Sequence, residues 1–430
     1  MTTIFAVSSG APPAAIAILR LSGARAFDAV RALGVAELPA PRVAGLRTVR
    51  DPADGRVIDR ALVLLFPAPH SATGEDVAEL HLHGGRATVR AVEAALTRLS
   101  GLRAAEPGEF TRRALTNGRI DLSEAEGLGD LLMAETEAQR RAALATAEGA
   151  LRRRVEEWTT RTLGHAAAVE ALLDHADEED AHDEDAIVAD VRAGVSALSN
   201  EIAALAAEPP VERLRDGVRV VLAGPRNAGK STLLNAMVNR DAAIVSPIAG
   251  TTRDRIEAPV VRDGIAWLLI DTAGLAEETD DPIEAIGIER SRAAMLGADI
   301  VVWLGDDEPP MLDVPVIAVH ARADDAARAA ARHDRIAIAA AQRDVEGLWH
   351  ALGEVARRLL PAPDAVALNH RQRTLCAEAA AHCAAAAAET DLLLVAERLR
   401  LARACFDAIT GRAGVEAMLA AMFSRFCIGK

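Results

Sequence analysis

The chain has 430 residues, room for about three domains at roughly 150 residues each, and its 50% apolar and 26% charged residues are a globular balance. A formal net charge of -15 argues against sequence-indifferent gripping of nucleic acid through phosphate contacts. With aromatic residues at 3% and no tyrosine, the cores must be packed from Ala, Leu, Val and Ile.

The first residues, Met1-Thr2-Thr3-Ile4-Phe5, carry no basic region ahead of an apolar core, and no run approaches eighteen apolar residues. A cytoplasmic protein with no membrane partner is expected. Cys376, Cys383, Cys405 and Cys427 all fall late, too few for a disulfide scaffold, and read as thiols in a reducing compartment. Cys376, His382 and Cys383 lack the second ligand pair of a zinc site.

From Ile4 to about Asn117 strands and helices mix. Ala15 to Leu21 and Ala61 to Phe66 are short apolar runs bounded by Gly or Pro, and Val77 to His83 alternates like a half-buried strand. Gly84-Gly85 ends it, and Ala87 to Leu99 has helical spacing. An α+β domain over residues 1–118 is expected. From about Leu122 the texture changes: no proline separates Pro107 from Pro209, and Ala, Leu, Glu and Arg predict long helices. The acidic run Asp174 to Asp180, continuing to Asp185, has no regular ligand spacing and reads as a solvated loop between helices. Pro361-Ala362-Pro363 punctuates the chain again, and the rest is alanine-rich and helical. Residues 119–212 and 361–430 are therefore expected to form one all-α domain, with residues 213–360 inserted into it.

Within the insert, the apolar run Val218 to Ala223 feeds Gly224-Pro225-Arg226-Asn227-Ala228-Gly229-Lys230-Ser231, followed by Thr232 and a helical pattern. This is the phosphate loop in its expected strand-to-helix setting. Backbone N–H groups from Asn227 to Thr232 converge on phosphate oxygens, Lys230 reaches the outer phosphates, and the Ser231 hydroxyl suits Mg²⁺. Further strands are expected over Arg255 to Val261, Ala266 to Ile270, Ile300 to Leu304, Val316 to Val319 and Ile336 to Ala339, in a mostly parallel sheet covered on both faces. Asp271-Thr272-Ala273-Gly274 puts a carboxylate on the Mg²⁺ shell and a glycine amide at the γ-phosphate. Between the two motifs, Ser246 to Asp254 is a candidate switch whose Thr252 completes Mg²⁺ coordination only when the γ-phosphate is bound.

Two elements depart from the usual guanine-nucleotide pattern. Where Asn-Lys-x-Asp is expected the chain has Ala321-Arg322-Ala323-Asp324, so Asp324 can take the N–H donors of the base and Arg322 can stack its stem over the ring, without the asparagine. The later serine-alanine element is reduced to Ala339-Ala340. Leu275 stands where a glutamine would orient the attacking water, which leaves Glu284, just beyond, as the candidate water-polarising carboxylate. The base-reading gap also leaves an ATPase open.

The chain resembles the MnmE (TrmE) family of tRNA-modification GTPases over essentially its whole length. The motifs that carry this are Thr73-Gly74-Glu75-Asp76, His83-Gly84-Gly85, Pro107 to Thr111, Asp121 to Glu126, Gly250 to Asp254 and the terminal Phe426-Cys427-Ile428-Gly429-Lys430. The resemblance implies an N-terminal folate-binding and dimerisation domain, an all-α helical domain, and an inserted Ras-like α/β G domain using GTP and Mg²⁺. It further implies a homodimer joined with a flavoprotein, MnmG, in a heterotetramer, with FAD entering only through that partner. Together they would place an aminomethyl or carboxymethylaminomethyl group on carbon 5 of the wobble uridine of certain tRNAs, with a reduced folate as one-carbon donor.

By position, Arg20, Glu79, Arg119 and Lys430 fall on the family's folate places. Asn227, Ser246, Ile248 and Thr251 fall on those that hold K⁺ while G domains pair across the dimer. Glu284 matches the family's water-orienting glutamate. Cys427 can be read as a nucleophile for the uridine or one-carbon unit, or as a thiol packed in an apolar tail. The alternative to an enzyme of this kind is a regulatory or ribosome-assembly switch that runs the same GTP cycle without modification chemistry.

Overall fold

The structure, a computed structural model, describes residues 2–174, 184–225, 227–238, 256–272, 294–323, 334–342, 344–362, 365–412 and 429. Its contacts divide the chain into two compact units, Met1–Gly129 with Asp407–Lys430, and Asp130–Phe406.

The first unit is built on a six-stranded sheet of order β3-β4-β5-β2-β1-β6, from β1 (Thr3–Val7), β2 (Ile16–Ser22), β3 (Gly45–Arg50), β4 (Val57–Phe66), β5 (Val77–His83) and β6 (Leu102–Ala104). Only β1 and β6 run parallel; the other pairs are antiparallel. Alternation sorts the side chains. Leu19, Leu21, Ala61, Val63, Leu65, Ala78, Leu80 and Leu82 point to one face and form a single core with α1 (Ala26–Ala32) and α2 (Arg86–Thr97). Ile18, Arg20, Leu62, Glu79, His81 and His83 hold the alternate positions. Over β1, Ile4 and Ala6 are covered by Phe110 of α3 (Glu109–Thr116). The chain then enters α4 (Leu122–Met133).

Expectation and structure agree on β5 and closely on β2 and α2. Strand β4 starts four residues earlier than the apolar run, because Asp59 is a strand residue despite its charge: buried, it accepts from the His83 N–H at 2.8 Å and pairs with His83 Nδ1 at 2.7 Å. The short strands β1, β3 and β6 carry no periodic signal that the sequence reading marks.

In the second unit, α5 (Glu137–Ala147), α6 (Ala150–Asp174), α7 (Glu184–Ala207) and the short α8 (Val211–Arg215) precede the nucleotide-binding sheet. After it come α10 (Glu346–Leu359), α11 (His370–Ala388) and α12 (Leu392–Thr410). Reciprocal caps start two of these helices, Thr136 with Gln139 and Asn369 with Gln372. Helices from before and after the sheet pack together: Ser199 Oγ of α7 donates to the Ala380 carbonyl of α11 at 2.8 Å. Trp158 of α6 lies 5.9 Å from the Phe406 ring of α12. Alanines along α11 permit this closeness. Burial pushes the Cys376 and Cys383 thiols of α11 up to about 12 and about 11, so they serve as packing groups.

The second sheet has the order β12-β11-β10-β7-β9-β8, from β7 (Val218–Ala223), β8 (Ile256–Arg262), β9 (Ile265–Asp271), β10 (Ile300–Trp303), β11 (Val316–Ala321) and β12 (Ile336–Ile338). Strands β8 and β9 are an antiparallel hairpin; the remaining pairs are parallel. The hairpin turns on Asp263 and Gly264, both at positive φ, 51° and 77°, as a two-residue loop between twisted strands requires. The central strands are buried on both faces, with Val218, Val220, Leu222, Ile300 and Val302 in one core and Val221, Ala223, Ile270 and Val301 in another. The chain is thus an α+β domain, a helical domain and a Ras-like α/β domain. Among the described residues no helix is long and apolar enough to cross a membrane.

Candidate functional site

The phosphate loop leaves β7 and enters α9 (Lys230–Val238). Asn227 holds a left-handed φ of 60°, a conformation asparagine tolerates better than most residues. Lys230 is buried and its Nζ donates to the Gly224 and Pro225 carbonyls, each at 2.9 Å. Burial pushes the Lys230 pKa down and the nearby Asp271 carboxylate partly restores it. The ammonium is therefore tethered over the loop that would receive phosphates, where those carbonyl bonds can be exchanged for phosphate oxygens.

Ser231 Oγ donates to Asp271 Oδ2 at 2.6 Å, and Asp271 is fully buried at the end of β9. A hydroxyl and a carboxylate this close are hard oxygen donors of the kind Mg²⁺ takes, with the remaining positions left to phosphate and water. These two residues would hold the ion, which would neutralise charge developing on the β and γ phosphates. Thr272 Oγ1 donates to the Leu222 carbonyl at 2.8 Å and locks the end of β9 to β7.

Beside the loop lies a cavity of about 290 Å³ lined by Ala228, Gly229, Thr232, Leu233, Ala321, Arg322, Ile338, Ala340 and Ala341. The phosphate loop, Ala321-Arg322 and Ala340 meet here, so the two elements that the sequence reading assigns to the base share one cavity with the loop. Arg322, itself at a φ of 57°, donates from Nη2 to the Asn227 carbonyl. The guanidinium that the sequence offers as a stacking group thus also ties the cavity wall to the phosphate loop. Ser246, Ile248, Thr251, Thr252, Ala273, Gly274, Glu284 and Asp324 lie outside the described residues, as does most of the acidic run after Asp174.

On the N-terminal sheet, Arg20 and Glu79 are direct cross-strand partners. Arg20 reaches one carboxylate oxygen twice, from Nε at 2.9 Å and Nη2 at 2.8 Å. His81 Nε2 lies 3.3 Å from the other. The Arg20 guanidinium sits 5.9 Å over the Phe110 ring. Arg119 is exposed, its stem against Gly74. Lys430 and Cys427 lie outside the described residues, but Gly429 between them docks on this sheet, its carbonyl accepting from Ser8 Oγ at 2.7 Å.

The sequence reading gives no role to the group around Glu109. This carboxylate is 2% exposed and accepts from Arg103 at 2.6 and 2.8 Å, from Arg113 at 3.0 Å and from the Glu106 N–H at 3.0 Å. Burial alone would raise its pKa; the arginine and backbone hydrogen bonds outweigh it and hold the group at about 2. Arg113 also binds Glu75 at 2.9 Å, and Ser22 Oγ donates to the same Glu75 oxygen at 2.7 Å. The Thr73-Gly74-Glu75 and Pro107-Gly108-Glu109 motifs are thereby welded into one buried network.

A mostly parallel sheet with this loop, lysine, serine and aspartate at the ends of its central strands and an antiparallel hairpin at its flank defines a P-loop nucleotide-binding protein. Family models agree with the whole-chain pattern: "GTP-binding protein TrmE N-terminus" matches residues 3–119 and "MnmE helical domain" matches residues 122–427. The tRNA modification GTPase MnmE of Rhizorhabdus wittichii is 54% identical over 429 residues, covering 100% of this chain and 96% of that protein. Its namesake from Erythrobacter litoralis is 52% identical over 433 residues, covering 100% of both. The chain belongs to the MnmE family of tRNA modification GTPases.

Proposed function

We propose that this chain hydrolyses GTP to drive the addition of an aminomethyl or carboxymethylaminomethyl group to carbon 5 of the wobble uridine of certain tRNAs, acting with a flavoprotein of the MnmG type. The observation that carries the reading is the arrival of Gly429, from the far end of the chain, at the strand beside Arg20 and Glu79. Gly429 belongs to the terminal motif that carries the family resemblance, and its contact lies on the unit whose sheet holds Arg20 and Glu79. A switch without chemistry of its own has no use for that arrangement.

In this reading residues 1–118 bind the folate and pair two copies of the chain, residues 119–212 and 361–430 make the helical body, and residues 213–360 are the G domain. The Glu79 oxygen not taken by Arg20 accepts hydrogen bonds from the aminopyrimidinone edge of a pterin, and Arg119 and Lys430 meet the glutamate tail. A reduced folate supplies the one-carbon unit, and FAD is bound by the partner in a heterotetramer in the cytoplasm. Cys427 is the candidate nucleophile.

At the G domain, Lys230 and the loop amides bind the phosphates, Ser231, Asp271 and Thr252 hold Mg²⁺, and Asp324 reads guanine. Ala273 and Gly274 border the γ-phosphate. Asn227, Ser246, Ile248 and Thr251 are oxygen donors that would hold K⁺ while the G domains of two copies meet. Glu284 orients the attacking water in place of the glutamine that Leu275 replaces. Glu284→Ala is expected to bind GTP normally and to hydrolyse it roughly a hundredfold more slowly; single-turnover kinetics would measure it, and unchanged turnover would move the role elsewhere. The reading as a whole is tested by wobble-nucleoside analysis of tRNA from a strain lacking this protein. Loss of the carbon-5 group is expected, and unchanged modification would leave only the switch.

A further inference from the structure

The formal charge of the chain is unevenly spread. Residues 1–119 hold fifteen arginines, no lysine and eleven carboxylates, and are formally +4. The whole chain is -15, so the remaining 311 residues carry -19. A charge that opposes contact with RNA phosphates over most of the molecule therefore changes sign on the N-terminal domain. Within that domain, the guanidiniums of Arg103 on β6 and of Arg112 and Arg113 on α3 line one concavity of about 260 Å³. One carboxylate, that of Glu109, shares the lining, with Thr116 and Asn117 beside it.

The concavity is rigid on one side and adaptable on the other. Buried Arg113 is pinned by Glu75, Glu109 and the Thr2 carbonyl. Glu109 and the Ala104 carbonyl take three of the five N–H donors of Arg103, which leaves two for an oxyanion. Arg112 is held loosely: its Nη2 stands 3.4 Å from Glu106 and 3.9 Å from Glu109, and its side chain is 44% exposed. We propose that this concavity seats a backbone phosphate of the tRNA, with Arg103 as the fixed cation and Arg112 as the one that turns to meet it. Phe110, which lies under the Arg20 guanidinium, precedes Arg113 by three residues, about 4.5 Å of helix rise. The RNA is thereby held at the flank of the Arg20–Glu79 pair. The inference deepens the proposed function: it rests on the reading of the chain as acting on tRNA and says where the RNA backbone is gripped. Phosphate contacts supply affinity and register rather than sequence selection.

The test measures tRNA binding by the full chain over a series of salt concentrations, alone and with the flavoprotein proposed as its partner. Loss of one phosphate contact in Arg112→Gln should flatten the slope of log affinity against log salt by roughly 0.7 to 0.9. Binding at low salt should weaken about tenfold, alike for substrate and non-substrate tRNAs. Arg112→Lys keeps the charge, so it should keep the slope and recover most of the affinity. Arg400→Gln, which removes an exposed arginine of α12 from the acidic remainder, should change neither. A purely structural Arg112 would lose tRNA equally as glutamine or lysine, with a lowered melting temperature and an unmoved slope, and that result overturns the proposal. So does an Arg112→Gln variant whose only defect is weaker binding of polyglutamyl relative to monoglutamyl tetrahydrofolate, which would give the concavity to the folate tail. A wild-type chain that binds no tRNA in either setting defeats the tRNA reading and the phosphate seat together, whereas wild-type binding with an unmoved slope in Arg112→Gln defeats the seat alone.

Discussion

The two six-stranded sheets carry their chemistry in different places. In the parallel sheet every functional group stands at the end of a strand: the phosphate loop after β7, Asp271 closing β9, Arg322 after β11. In the N-terminal sheet the candidate pair lies within the strands, Arg20 on β2 and Glu79 on β5, brought together by antiparallel register. A parallel sheet buried on both faces has only its edge to offer a ligand. A sheet covered by α1 and α2 on one side can present the other. The edge site is built of backbone amides and short contiguous motifs; the face site is built of side chains far apart in sequence, and its geometry depends on what braces the sheet.

If that contrast holds, damage at the edge should abolish chemistry while leaving the fold, and damage to the braces should unfold the face. The largest effect is expected for Lys230→Ala, which removes the cation tethered over the loop: kcat/KM for GTP should fall by about 10² to 10³ with the circular dichroism spectrum unchanged, as for other groups placed at developing charge. Steady-state kinetics would show it, and an effect under tenfold would break the edge half of the comparison.

Next is Glu109→Gln, at the centre of the bracing network. Taking one partner from a buried ion cluster costs about 3 kcal/mol, seen as a lowered denaturation midpoint of the N-terminal unit. The sign of its pH dependence follows from the depressed pKa. A carboxyl held at about 2 when folded and near 4.5 when unfolded adds stability that is complete above about pH 4.5 and is lost as pH falls toward 2. Acid titration of wild type should show that loss, and Glu109→Gln should flatten it.

The smallest effect is expected for Arg322→Ala, which cuts the tie to Asn227 and opens the base pocket: about tenfold weaker GDP and GTP binding, with Arg322→Lys intermediate. Competition with a fluorescent guanine nucleotide would measure both. ATP displacing it as well as GTP would refute guanine selectivity and sharpen the question left by Ala321.

The same contrast explains what could be read in advance. Strand β7 and its loop were legible because a buried apolar run ending in Gly-x₄-Gly-Lys-Ser has one physical use, and the other parallel strands were found to within a few residues for the same reason. Arg20 and Glu79 became a site only through family resemblance, since nothing in the sequence reports that positions 59 residues apart sit side by side. The Glu109 network escaped altogether, because Ser22, Glu75, Arg103 and Arg113 come from separate elements. Its one local trace is Gly108 at a left-handed φ of 67° just before Glu109, a turn that forces the carboxylate inward. Strands β1, β3 and β6 escaped because three to six residues are too few to show a period.

The central claim is that GTP cleavage in one domain controls uridine chemistry in another. It is tested most directly by reconstituting the chain with the flavoprotein proposed as its partner, tRNA, reduced folate and potassium, and comparing GTP with a non-hydrolysable analogue. Modified wobble uridine should accumulate over many turnovers with GTP and stay at background with the analogue; equal accumulation with both would contradict the account.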